Sequence, residues 1–198
     1  MSLTGHLLHR AASQAAEEAA RKLNIDENMA AKLTHVAIAI ILEGFRRRAA
    51  GPLGATAFGF SLRQYREDVL VDPRRLSDAD IRARGEALIE RALGRHDDRA
   101  TTVLADLSEI ELAHARSILA MTAPAVVSAL SQAKLELNLS PGQLSGVLKS
   151  EAEQVDGVDP NLVKDILAWV FRPPFVARVI GALGDVLRIV PGLRRVAA

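Results

Sequence analysis

The amino-acid sequence predicts an all-α protein, a multihelical array built from two pseudo-repeated helical halves and followed by a C-terminal helical extension. Apolar residues recur at helical spacing along most of the chain, and the alternation typical of strands does not persist anywhere. The composition agrees, because alanine (33 residues) and leucine (27 residues) are the apolar residues that helices accommodate most easily. Aromatic residues make up 4% of the chain, so we expect a core of many small side chains.

The first two helices are predicted at the amino-terminal end. A first helix is expected over residues 3–23, because its leucines and alanines recur every three or four positions. Asn24 and Glu27 have the spacing of a capping box, which predicts that a second helix begins there and continues to about residue 49. Residues 36–42 of this helix are apolar on all sides, which indicates burial.

The middle of the chain contains a long connection and two further helices. Residues 51–73 are interpreted as the connection, because glycines interrupt them and the apolar pattern supports only one or two helical turns. Residues 77–80 then indicate a helix start, and Gly94 its end. A short helix is expected over residues 97–107.

A proline lies inside the next predicted helix. Ser108 and Glu111 repeat the capping-box spacing and predict the start of a long apolar helix. Pro124 removes one amide donor from that helix and crowds the carbonyl group four residues earlier. We therefore predict a kink or a restart near residues 121–123.

Three more helices are predicted in the carboxyl-terminal part. Ser140 and Gln143 form a third capping box, with a proline at the first helical position, and open a helix that ends near residue 154. Asp159 and Pro160 open the next one, which should stop at a pair of prolines. A final helix over residues 175–190 is apolar around most of its circumference.

The predicted layout has one main domain over residues 1–154 and a C-terminal helical extension over residues 155–198. The halves of the domain are residues 1–50 and 74–154, and the connection 51–73 joins them. A length of 198 residues suits one core of ordinary size with an appendage.

The proposed duplication depends on an offset of 85 positions. Residues 35–45 and 120–130 resemble two copies of one buried helical segment. Placing residues 3–47 on residues 88–132 gives seven identities in 45 positions. If the copies are real, each is a helix pair that cannot bury its own apolar face, and the two complete one core. The alternative is that two amphipathic helices merely share a period.

The apolar motifs of the second half follow one another in a distinctive order. They comprise Gly85, Leu88, Ile89, Leu93, Gly94, Ile118, Leu119, Ala123, Pro124, Leu130, Leu139, Ser140, Leu144 and Leu148. In this order they resemble the YidB-like family (DUF937), a bacterial domain of unknown function, and the resemblance covers residues 3–150. It implies a multihelical cytosolic domain with no assigned reaction and no catalytic residues to transfer.

Composition limits the function classes that remain. The absence of cysteine excludes disulfides, thiolate metal sites and cysteine nucleophiles. The amino terminus lacks the apolar core of a secretory signal, and the longest apolar run is far shorter than the roughly 18 residues of a membrane-spanning helix. We therefore expect a cytoplasmic protein without a transmembrane segment.

The net charge of +1 conceals an uneven distribution along the chain. Residues 100–171 carry 4 Lys and Arg against 9 Asp and Glu, whereas residues 172–198 carry 5 against 1. These charges are interpreted mainly as solvated faces or as groups that pair within the fold. A basic tail that binds nucleic acid or anionic lipid is the alternative.

No motif of a known catalytic chemistry is present. His6 and His9 could share a metal, but no third ligand lies near them in sequence. His96, Asp97 and Asp98 resemble the His-Asp pair of metal phosphohydrolases without the other ligands that such sites need, so Asp97 or Asp98 is interpreted as a helix cap. We predict no catalytic residue, no cofactor and no metal, and a non-enzymatic protein is favoured.

Two groups of residues form the candidate interaction surface. The first group is the arginines near Phe58, Phe60 and Tyr65, which could contact phosphates while the aromatic rings stack on bases: Arg46, Arg47, Arg48, Arg63, Arg66, Arg74 and Arg75. The second group is part of the wide apolar face of the final helix: Phe175, Val179, Leu183 and Leu187.

The sequence therefore favours a protein-protein interaction or assembly module, with a protein partner or self-association. The final helix would dock within the fold, contact a second subunit or lie on a membrane surface. Nucleic-acid or anionic-surface binding through the Arg-rich connection and the basic tail is the alternative. An enzyme built from scattered acids and histidines is the third hypothesis.

Overall fold

The computed structural model describes residues 2–64, 69–153 and 159–172. In these residues the chain is helical and contains no strand, which confirms the all-α prediction. Two short 3-10 helices, η1 (Pro73–Ser77) and η2 (Gly94–His96), separate some of the α-helices. The α-helices are α1 (Leu3–Leu23), α2 (Glu27–Arg48), α3 (Pro52–Gln64), α4 (Ala79–Leu93), α5 (Asp97–Asp106), α6 (Leu112–Glu136), α7 (Pro141–Glu153) and α8 (Pro160–Val170).

Helices α2 and α6 form the centre of the fold. α6 packs against α1, α2, α4 and α5, and α2 also contacts α1, α4, α7 and α8. Residues 35–45 and 120–130 are buried along these helices, apart from the partly exposed His35. One hydrophobic cluster continues from Leu7 in α1 to Phe171 after α8. The two apolar segments are therefore the paired central helices of one core.

The apolar character of α2 and α6 also matches that of membrane spans. Both helices are long and apolar enough to cross a membrane by length and composition. Within their most apolar 18-residue windows, 72% of α2 and 78% of α6 is buried inside the fold. This burial accounts for the apolar sequence of both helices without a membrane. The absence of a transmembrane segment stays a prediction.

Local capping contacts confirm several predicted helix ends. α1 covers the predicted residues 3–23. At the start of α7, the Ser140 amide donates to Gln143 Oε1 at 2.9 Å, and the Gln143 amide donates to Ser140 Oγ at 3.4 Å. Asp159 caps α8 by accepting from the Asn161 amide at 2.9 Å. These contacts join residues that are close in sequence, which explains why the pattern predicts them.

Two other predicted capping boxes are wrong. The N-cap of α2 is Asp26, whose carboxylate accepts from two amides of the first turn. Asn24 instead ends α1 in the left-handed conformation (φ 53°), which asparagine tolerates better than most residues. The N-cap of α6 is Glu111 rather than Ser108, and no side chain caps this helix.

The expected long connection contains a complete helix, α3, so the prediction of one or two turns is wrong. Glycine lowers the intrinsic helix propensity of this stretch, but burial of Phe58 and Leu62 against the core compensates for it. Gly51 adopts φ 86° between α2 and α3, and Pro52 takes the first helical position, where a missing amide does no harm.

Helix α6 remains one helix through Pro124, so the predicted restart does not occur. Because proline has no amide hydrogen, the Ala120 carbonyl lacks its usual helical donor. Gly85 of α4 packs against this carbonyl, and a Cβ atom at Gly85 would lie 1.9 Å from the Ala120 oxygen. At this contact between α4 and α6, the Ala120 carbonyl lacks its usual helical donor and Gly85 has no side chain to keep the two helices apart.

The two pseudo-repeated halves are not confirmed. α2 and α6 begin at residues 27 and 112, which preserves the offset of 85. The parts before them differ, because α1 is one helix whereas residues 88–108 contain the end of α4, η2 and α5. The helix predicted over residues 175–190 lies outside the described residues.

Candidate functional site

The carboxyl end of α2 holds a buried carboxylate between two arginines. The Glu43 side chain is 8% exposed and accepts from Arg46 Nη2 and Arg47 Nε, each at 2.7 Å. Burial alone would raise the pKa of Glu43, but the hydrogen bonds and charges of the two arginines outweigh it and lower the pKa. Glu43 is therefore ionised at neutral pH and holds both guanidinium groups in place. Cations suit this position because a helix dipole is negative at its carboxyl end.

A groove lies between α2, α7 and α8, and we call it the α8 groove. Its volume is about 510 Å³. Its apolar lining comes from two helices: Ala152, Pro160, Val163 and Leu167. Its charged lining is Glu43, Arg46, Lys149 and Lys164. Since Glu43 is already paired with two arginines, the groove has an excess of positive charge.

A second depression, the arginine pocket, lies where the carboxyl ends of α2 and α4 meet. Its volume is about 400 Å³. Its charged or titratable lining is Arg47, Arg48, Arg95 and His96, and the remaining lining residues are Gly44, Ala92, Leu93 and Phe171. The pocket and the groove share the end of α2 and the segment 160–171, so together they form one cationic surface.

Phe171 lies in contact with two side chains of the arginine pocket, Arg47 and His96. The guanidinium carbon of Arg47 lies 4.5 Å from the centroid of the Phe171 ring, within the range of a cation-π contact. The His96 ring lies 5.3 Å from the same ring, tilted by 56°. Burial lowers the pKa of His96, and the charge of Arg95 lowers it further, while a backbone hydrogen bond with Val170 acts in the opposite direction. His96 is therefore neutral at pH 7.

The lowered pKa of His96 predicts a loss of stability in mild acid. The unfolded chain takes up this proton near pH 6.5, before the folded chain does. The contribution of His96 to the free energy of unfolding is thus constant above about pH 6.5. It decreases as the pH falls from there toward the pKa of His96 in the folded chain. Urea titrations at about pH 7.5 and pH 6.0 should show the free energy of unfolding falling by less than about 1 kcal/mol from this residue. His96→Gln should remove the share of this fall that comes from His96. If the free energy of unfolding of the variant fell as much as that of the wild type between the two pH values, the prediction would be contradicted.

The His-Asp pair of the sequence is divided between two environments. Asp97 Oδ2 accepts from Arg116 Nη1 at 3.1 Å, and Arg116 Nη2 lies 2.6 Å from Glu86 Oε2, so this group links α4, α5 and α6. Burial raises the pKa of Asp97 despite the opposing charge of Arg116. Asp97 and Asp98 occupy the first turn of α5 and neither caps it, so the capping prediction is wrong. In the described ranges, no three His, Asp or Glu residues are arranged to hold a metal.

Only part of the candidate interaction surface contributes to this site. Arg46, Arg47 and Arg48 line the groove or the pocket. Arg74 and Arg75 belong to η1, which packs against α1, α4 and α6. Arg63 lies in α3, but its side chain is not among those that the structure describes. The remaining candidates lie outside the described residues: Arg66, Phe175, Val179, Leu183 and Leu187.

Sequence reasoning missed four residues of the cationic surface. Lys149 and Lys164 are single lysines on separate helices, and neither belongs to a charge cluster in the sequence. Arg95 follows the helix-ending Gly94, and Phe171 follows α8, so both resemble ordinary residues at helix ends. The local pattern carries no signal for them, because only the packing of α4, α7 and α8 brings them to the end of α2.

The fold and the site define an all-α helical protein with a cationic surface around the end of a central helix. A family model described as bacterial protein of unknown function (DUF937) matches residues 5–133, and the chain belongs to this family. The match ends before α7, so Lys149, Lys164 and Phe171 lie beyond it. No curated protein and no solved structure matches the chain.

Proposed function

We propose that this protein is a protein-binding module whose α8 groove takes an acidic segment of a partner that also carries apolar side chains. The observation that carries the proposal is the combined lining of the groove. Its walls offer apolar contacts from Ala152, Val163 and Leu167, and Arg46, Lys149 and Lys164 add positive charge. An acidic segment with apolar side chains matches both properties.

The two lysine charges of the groove are available to a partner. Lys149 and Lys164 form no ion pair with any residue in the described part of the chain, and both are exposed. Glu43, the carboxylate of the groove, is held by Arg46 and Arg47. A partner carboxylate can therefore approach the lysines without first displacing a described ion pair.

The apolar lining favours a protein partner over nucleic acid. A nucleic-acid groove combines phosphate contacts with aromatic side chains on which bases stack. The α8 groove is lined by aliphatic residues and proline, which suit leucine or valine side chains of a partner better than a base. Nucleic-acid binding through the arginine-rich connection and the tail stays the alternative, as does contact of the tail with an anionic surface.

Charge reversal in the groove provides the test. The probe is a fluorescent helical peptide with leucines on one face and glutamates beside them, measured by anisotropy with the full chain at about 0.15 M salt. Lys149→Glu and Lys164→Glu should each weaken binding about fivefold to tenfold, because each replaces an attraction by a repulsion. Lys32→Glu is the matched control, since this exposed lysine lies on α2 near the opposite end from Arg46.

Two outcomes would contradict the proposal. One is equal weakening in Lys32→Glu and the groove variants, because the effect would then reflect net charge alone. The other is tighter binding of a short DNA duplex than of the acidic peptide, which would favour the nucleic-acid hypothesis. A peptide in which lysines replace the glutamates should bind more weakly than the acidic one.

A further inference from the structure

The arginine pocket has a charge distribution unlike that of the α8 groove. Three arginines and one neutral histidine line it, and none of the described lining residues is a carboxylate. Arg48 and Arg95 form no ion pair with any residue of the described ranges. At least two guanidinium groups, those of Arg48 and Arg95, therefore line one cavity without being paired to a described carboxylate.

The third arginine is held in position before any ligand arrives. Arg47 Nε donates to Glu43 Oε1 at 2.7 Å, and the guanidinium group stacks on the Phe171 ring. The Arg48 guanidinium lies beside Gly94, since a Cβ atom there would be 2.8 Å from Arg48 Nη2. Holding cationic side chains in advance reduces the entropy that a ligand must overcome on binding.

The floor of the pocket is formed by a close contact between two helices. A Cβ atom at Gly44 would lie 2.8 Å from the Ala92 carbonyl oxygen, so glycine lets α2 approach the end of α4. Both helices present their carboxyl ends here, and the partial negative charge of a helix end disfavours an anion. That effect decays within the last turn, whereas the guanidinium groups carry full charges on long side chains, so the arginines dominate.

We propose that the arginine pocket binds the phosphate or pyrophosphate group of a small diffusible ligand, with Arg48 and Arg95 as its principal contacts. Guanidinium groups donate two parallel hydrogen bonds to phosphate oxygens, a geometry that lysine does not offer. The volume of about 400 Å³ lies near the lower end for small-molecule sites, so the ligand is compact.

Calorimetric titration of the full chain with pyrophosphate tests this site. Arg48→Gln and Arg95→Gln should each weaken binding about tenfold, since each removes charged hydrogen bonds. Arg48→Lys should bind with intermediate affinity, because it keeps the charge but loses the planar group. Arg91→Gln is the matched control, because Arg91 is an exposed arginine one turn before Arg95 and does not line the pocket. Circular dichroism of each variant confirms that it is folded.

The location and source of the phosphate are tested in parallel. Pyrophosphate should shift the NMR signals of the His96 ring, which lines the pocket, and leave those of His6 on α1 unchanged. The proposal is overturned by the absence of millimolar pyrophosphate binding, by equal weakening in Arg91→Gln, or by equal affinity for sulfate. Binding to vesicles of an anionic phospholipid without binding of pyrophosphate would also overturn it, because the source would then be a lipid headgroup.

Discussion

Gly85→Ala is expected to lower the free energy of unfolding by about 3 kcal/mol or more, which would be among the largest effects of any conservative substitution. The new Cβ atom would lie 1.9 Å from the Ala120 carbonyl oxygen and 2.8 Å from its carbonyl carbon. Both are backbone atoms of a buried helix, so no side-chain rotation can relieve the overlap. Alanine has a better helix propensity than glycine, but that gain of about 1 kcal/mol is smaller than the cost of separating α4 from α6.

The matched control is Gly146→Ala in α7. No heavy atom lies within 4 Å of a Cβ atom placed at Gly146, and the residue is exposed. This variant should therefore gain about 0.5–1 kcal/mol from helix propensity alone. Urea denaturation followed by circular dichroism gives both values. A gain in stability in Gly85→Ala like that expected for Gly146→Ala would show that the contact between α4 and α6 does not limit stability.

Phe45→Ala is expected to lower the free energy of unfolding by about 3–5 kcal/mol. The side chain is 1% exposed, and its ring centroid lies 4.8 Å from that of Phe58 in α3. Phe45 is the largest of the fully buried side chains in the described residues, so its truncation leaves a large cavity. Phe45 also lies between Glu43 and Arg46 on α2, so its loss should loosen the helix end that carries the cationic surface.

Leu53→Ala provides the control for Phe45→Ala. Leu53 lies on α3 and is 87% exposed, so its truncation should change the free energy of unfolding by less than about 0.5 kcal/mol. A loss in Leu53→Ala comparable with that in Phe45→Ala would mean that α3 packs differently from the structure. A loss below about 1 kcal/mol in Phe45→Ala would mean that the core closes around the missing ring.

The helices that the sequence predicted correctly have local signals. Residues 3–23 repeat an apolar period, and Ser140, Gln143 and Asp159 cap helices through contacts with near neighbours. The sequence pattern failed for α3, whose glycines lower helix propensity. That helix is stabilised by burial of Phe58 and Leu62 against elements distant in sequence, which a local pattern does not contain.

The candidate site was predictable only in part. Arg46, Arg47 and Arg48 stand together in the sequence, and their cluster was visible without a structure. Their expected companions, Arg74 and Arg75, lie on η1 instead. The groups that actually complete the surface are separated from α2 by many residues and come together through helix packing: Arg95, Lys149, Lys164 and Phe171.

The amino-acid pattern was sufficient to predict that this protein is all-α, where most of its helices begin, and that α2 and α6 are buried. These properties follow from period and capping, which depend on residues a few positions apart. The pattern did not contain the meeting of the end of α2 with α4, α7 and α8, which forms the groove and the pocket through helix packing. The absence of a side chain at Gly44 sets how near α2 can lie to the end of α4, and the same absence at Gly85 sets how near α4 can lie to α6.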